Sequence, residues 1–157
     1  MSLSELKQEI AIEWESIQIA LDELVALETD VGEREPMVRE VAAAGLFLAN
    51  LYNGIENVLK RLCRYHSIDI SPGPDWHVEL VKALTDPPRE GLPVLFDQQL
   101  ASELGPYRRF RHVVHHGYGF QLRWEDMLPG IEGATDVVST FKKAVESHLN
   151  ELTPSNQ

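Results

Sequence analysis

The chain has 157 residues, a formal net charge of -11 and a single cysteine, Cys63. That length suits one ordinary domain with its own core, and a lone cysteine excludes an intramolecular disulfide. The acidic balance excludes broad, indiscriminate nucleic-acid binding, which relies on excess positive potential, but leaves room for a local basic site.

Ser2 stands three residues before Glu5, the spacing of a capping box. Behind it Leu3, Leu6, Ile10, Trp14, Ile17, Leu21 and Leu24 recur in steps of three and four. One long amphipathic helix is predicted there. No basic region followed by an apolar stretch opens the chain, and no apolar run approaches the roughly 18 residues needed to cross a bilayer. A soluble cytoplasmic protein is expected. Thr29 to Glu35, around Gly32, reads as a turn, and Pro36 suits the first turn of the next helix, where its missing N–H has no partner to lose.

From about Pro36 to about His66 the apolar seam continues through Val41, Gly45, Leu48, Tyr52, Ile55, Leu59 and Leu62. This predicts a second long helix, central to the bundle, with Cys63 as a small core residue. Ala42 to Gly45 carry little bulk, so a neighbour can approach closely. Pro72, Gly73 and Pro74 end that helix, and Asp75 can cap a short one from about Trp76 to about Leu84. Asp86 to Pro93 reads as irregular. A fourth helix is predicted from near Val94 to the region of His116, bent at Gly105 and Pro106 and stopped by Gly117. A last helix is expected from about Ala134 to about Leu152, with a frayed tail at 153–157. Trp14, Trp76 and Trp124 are expected in the core, and His66, His77 and His148 at the surface or its boundary. No segment sustains the two-residue period of a strand. The fold class is therefore all-α: one domain over 1–157, an up-and-down bundle of four long helices plus one short one.

The chemistry concentrates between Tyr107 and Phe120, where Arg108, Arg109, Arg111, His112, His115 and His116 crowd onto one helix and its end. Phe110 and Val114, four apart, can anchor that helix and leave the charged groups on flanking faces. RNA cleavage without a metal needs a base for the 2′-hydroxyl, an acid for the leaving oxygen and positive charge beside the phosphorane. Histidine and arginine supply all three. Arg111 and His116 are separated by roughly 140° on an ideal helix, so they converge only if the helix ends, as Gly117 allows; His115 shares the face of Arg111 more naturally. The bland alternative pairs Arg111 with an acid across the bundle, for which Glu56 is a candidate. His112 and His116 have a spacing that could hold a transition metal, but no carboxylate or cysteine stands nearby in sequence, and no metal or cofactor is expected.

The run Phe110-Arg111-His112-Val113-Val114-His115-His116-Gly117-Tyr118 resembles the HEPN signature, an arginine followed four to six residues later by histidine. It is similar more narrowly to the HepT form, which continues to a tyrosine. Phe120, Leu122, Trp124, Glu125 and Met127 extend the likeness, as do Tyr52 through Glu56 and Asn57 to Arg61, and Asp75-Trp76-His77. The sequence departs from the common pattern at His112, often asparagine in the family, and in its extra His115.

The resemblance implies a HEPN-like bundle forming a homodimer, with the arginine and histidine of both subunits facing a shared cleft that cuts RNA without metal. Arg111 and His116 would be catalytic, with His112, His115 and Glu56 as auxiliaries and Arg108 and Arg109 on phosphates. It also implies a minimal nucleotidyltransferase antitoxin that attaches AMP to Tyr118, placing bulk and negative charge beside the cleft. The rival reading is a noncatalytic helical interaction module that partners a nucleotidyltransferase.

Overall fold

In the computed structural model, which describes residues 1–70, 73, 75–85, 91, 93–117 and 122–152, Ser2 and Glu5 close the expected reciprocal cap. Ser2 Oγ accepts from the Glu5 amide at 3.1 Å and Glu5 Oε2 accepts from the Ser2 amide at 2.6 Å. These bonds start α1 (Leu3–Val31), which buries Leu3, Leu6, Ile10, Ile17, Leu21 and Leu24 along one face. Gly32, at φ 54, ends it, so Thr29 to Val31 belong to the helix and not to the turn.

Pro36 stands ahead of α2 (Val38–Tyr65), not within its first turn, because Met37 is the cap. Glu40 fixes that start: its carboxylate accepts from the Met37 amide at 2.8 Å and from Arg34 at 2.8 and 2.7 Å. The Arg34 guanidinium, then the amide, hold Glu40 down to about 2. α2 is the central helix, buried on several faces and packed against every other helix. Two of its glycines permit close approach. A Cβ on Gly54 would lie 2.4 Å from Ile17 Cγ1 of α1, and one on Gly45 would lie 2.4 Å from Leu122 Cδ1.

Asp75 precedes the short α3 (Trp76–Ala83), although its side chain makes no capping bond. The fourth helix starts later than expected. Val94 to Phe96 run extended, with the Leu95 and Phe96 amides both donating to Leu84 O at 2.9 and 3.1 Å. Asp97 then caps α4 (Gln98–His115), its carboxylate accepting from the Leu100 amide at 2.7 Å. α4 passes through Pro106 and ends at Gly117, whose φ of 72 suits a glycine stop.

The last helix, α5 (Trp124–Glu151), begins ten residues before the expected Ala134 and contains Pro129 and Gly130. At the sixth helical position Pro129 cannot donate to Glu125 O and its ring crowds that carbonyl, yet the helix continues through it. Gly130 and Gly133 admit Tyr107, whose hydroxyl donates to Gly130 O at 2.6 Å. Burial pushes that hydroxyl up to about 12.

All five helices contribute to one core, in which Phe141 stacks on Phe96 at 5.8 Å and meets Trp14 edge-on at 5.6 Å. The three tryptophans are only partly buried against this core, and Trp76 forms the wall of a cavity. His66 and His148 lie at the boundary as expected, half-buried, their Nε2 atoms facing each other at 3.0 Å. Among the described residues there is no strand, only an isolated bridge between Thr85 and Phe96, and no helix is long and apolar enough to cross a membrane. The 153–157 tail and most of Asp86 to Pro93 lie outside the described residues.

Candidate active site

Glu56 is the centre of the site. Its spacing from Tyr52, Ile55 and Leu59 turns it inward on α2, and its side chain is 1% exposed. A carboxylate so placed is costly unless cations and N–H groups surround it. Arg111 of α4 provides the charge, with Nε 2.9 Å from Glu56 Oε1. The Nε–H itself is aimed at Asn53 Oδ1, one turn earlier on α2. Glu56 Oε1 is consequently held by charge rather than by a directed hydrogen bond.

His77 of α3 completes the arrangement, with Nδ1 against Glu56 Oε2 and Nε2 3.2 Å from Arg111 Nη1. Arginine can only donate, so His77 Nε2 accepts and its proton sits on Nδ1, directed at the carboxylate. The closed ring Glu56–His77–Arg111 joins three helices and fixes the guanidinium by two of its edges. Trp76 adds a fourth restraint: its ring lies 3.5 Å from that of His77, and Arg111 Cζ is 5.9 Å from its centre.

His115 reaches the same group from α4. Its Nε2 lies 3.4 Å from Asn53 Nδ2, a donor, so the neutral ring presents its lone pair there. Partial burial, then the Arg111 guanidinium, hold His115 below the ordinary histidine range. Asn53 thus bridges Arg111 and His115, residues that share a helical face. Beneath them the fully buried Tyr52 hydroxyl is raised well above the ordinary tyrosine range by burial and by the Glu56 charge, partly offset by Arg108 and Arg111.

The other predicted residues fall elsewhere. His116 is the cap residue of α4; its Nδ1 donates to His112 O at 2.9 Å, fixing the tautomer whose lone pair is on Nε2. The His112 and His116 rings lie 3.9 Å apart, and both residues are exposed. Arg109 points toward the start of α5, lining a hollow with Phe110, Leu122 and Asp126. Tyr118 lies outside the described residues. Among those described, no group of three or more histidine, cysteine or acidic side chains could hold a metal ion.

Sequence reasoning missed Asn53 and gave His77 a place at the surface or its boundary, where its 21% exposure puts it, but no role in the site. Asn53 stands three residues before Glu56 and so shares its face, a signal readable from spacing. His77 carried a weaker one, its place in the Asp75-Trp76-His77 patch. Arg111 and Glu56 do form the cross-bundle pair expected as the bland alternative, and they do so at the centre of the polar cluster.

A family model described as HepT-like protein matches residues 43–152, which include Asn53, Glu56, His77, Arg111, His115 and His116. None of the curated proteins and none of the solved structures compared with the chain matches it.

Proposed function

The chain belongs to the HepT-like family, and from that premise we propose that it is the ribonuclease toxin of a toxin–antitoxin pair, cutting RNA without a metal ion. The observation that carries this reading is the fixed guanidinium of Arg111. Two of its edges are tied to Asn53 and His77, and it stands beside a neutral histidine on the same helical face. Preorganised positive charge is what a phosphorane requires, because it stabilises the transition state without rearrangement at the moment of reaction.

In the proposed step a histidine removes the proton of a ribose 2′-hydroxyl. The 2′-oxygen attacks phosphorus and the bond to the 5′-oxygen breaks. That oxygen takes a proton from a second histidine, giving a 2′,3′-cyclic phosphate and a 5′-hydroxyl with no co-reactant. Arg111 stabilises the phosphorane and His116 transfers a proton. His115 and His112 are the neighbouring histidines, Glu56 and His77 position Arg111, and Arg108 and Arg109 hold flanking phosphates. In a homodimer the two α4 ends would face one cleft. A nucleotidyltransferase antitoxin would move AMP from ATP to the Tyr118 hydroxyl, releasing pyrophosphate and closing the cleft to RNA by charge.

The test is cleavage of a mixed RNA pool in EDTA by the purified protein, with Arg111→Ala, His115→Ala and His116→Ala beside it and intact mass recorded. Wild-type cutting that Arg111→Ala abolishes is expected. Undiminished cutting by folded Arg111→Ala and His116→Ala refutes the assignment. A second reading, a noncatalytic module that partners a nucleotidyltransferase, is favoured by the pairing of Arg111 with a buried carboxylate. Silence at unmodified mass, with a nucleotidyltransferase copurifying, would select it.

A further inference from the structure

Beside the Arg111 cluster lies a separate cavity of about 550 Å³ lined by Lys60, Cys63, Arg64, Asp69, Trp76 and Leu80, among others. Its volume falls within the roughly 300–1,000 Å³ range of small-molecule sites. Trp76 is the wall it shares with the active-site candidate, since the opposite edge of the same Trp76–His77 stack leads to Arg111. A tryptophan at the first position of a short helix could have been packed wholly inside. Here it stays partly exposed, with Lys60 Nζ 4.1 Å from its ring centre. Lys60 and Arg64, both exposed, edge the opening, while Leu80 and Cys63 are buried below.

We infer that this cavity is a nucleobase subsite: the base next to the scissile phosphate stacks on Trp76, and Lys60 swings from the ring to the adjoining phosphate. This rests on the ribonuclease reading for its substrate, but its binding chemistry is independent of cleavage. Aromatic platforms flanked by basic side chains hold single-stranded nucleic acid because every base has a π-face and every nucleotide a phosphate. The Asp69 carboxylate at the edge can accept from an exocyclic amine, which favours adenine, cytosine or guanine over uracil. Lys60 also answers the overall charge of -11, which would repel RNA from the rest of the surface, whereas Arg64 is paired with Glu9 at 2.6 Å.

The experiment is a titration of ¹⁵N-labelled full-length protein with a single-stranded DNA hexamer, which lacks the 2′-hydroxyl and cannot be cut. The Trp76 indole N–H is followed by NMR, with Trp76→Phe, Trp76→Leu and Lys60→Ala as variants. The Trp76 resonance, assigned by its loss in Trp76→Phe, should move with the hexamer. Trp76→Leu should weaken binding roughly ten-fold, the scale of one lost stack, and Trp76→Phe should retain most of it. Lys60→Ala changes an exposed residue and weakens binding even if Trp76→Leu does not fold. Movement of the indole with no RNA cleavage in EDTA by protein of unmodified mass would leave the subsite standing and refute the ribonuclease. RNA cleavage with an unmoved indole and unchanged KM in Lys60→Ala would overturn the subsite alone, and failure of the hexamer to bind would overturn it as well.

Discussion

Removing the Arg111 guanidinium should expose how much of the bundle's stability depends on the site. Glu56 is 1% exposed and Arg111 19%, so Arg111→Ala leaves a buried carboxylate whose only remaining charged or polar neighbour in the ring is His77. Breaking a buried pair from one side costs about 3–5 kcal/mol. The retained His77 bond and the partial exposure of Arg111 reduce this to roughly 2–3 kcal/mol, by the same reasoning. For a domain of this size that is a fall in Tm of about 5–10 °C. The double variant Arg111→Ala/Glu56→Gln removes the stranded charge and should recover at least about 1 kcal/mol of the loss. Urea unfolding of the wild type, both single variants and the double variant closes the cycle. An Arg111→Ala variant as stable as wild type, or a double variant no better than the single, would refute the claim that Glu56 needs its cation. The same measurement sets the temperature at which Arg111→Ala can be assayed for RNA cleavage while folded.

Stability should also fall as the medium is acidified. Burial holds His66 and His148 below the ordinary histidine range, so the unfolded chain binds protons first, and the stability from their neutral forms is complete above about pH 6.5 and lost as pH drops below it. Glu151 moderates this at His148. His66→Gln should flatten the pH dependence of Tm below about pH 6.5, and an unchanged slope would exclude the pair as its source. Gly54→Ala should destabilise by about 1–3 kcal/mol, because its Cβ would meet Ile17 at 2.4 Å. Gly105→Ala should gain nothing in the same denaturant assay, because the helix propensity of alanine is offset by contact between its Cβ and the ring of Pro106, which follows it in α4. Tyr107→Phe, which loses the bond to Gly130 O, should cost about 1 kcal/mol by chemical denaturation.

Local chemistry wrote most of the architecture into the chain. The Ser2–Glu5 cap, the heptad-like seam of α2 and the Gly117 stop all act over one helical turn, so their spacing reveals them. The errors arose where a distant partner overrides a local preference. Val94 to Phe96 stay extended because Leu84 O takes the Leu95 and Phe96 amides, and Trp124 to Gly133 stay helical because Tyr107 and Phe110 pack against glycines that alone would suggest a loop. Within the site, spacing placed Arg111 and His115 on one face and named Glu56 as a partner. Only the tertiary structure could bring His77 and Asn53 to that pair, since α3 reaches it across 34 residues of sequence and hydrogen bonds between helices leave no period in either. Sequence by itself determined which faces are apolar and those helix ends that a local cap or glycine stop sets. Packing decided which polar groups share a buried carboxylate, because that depends on how the helices cross.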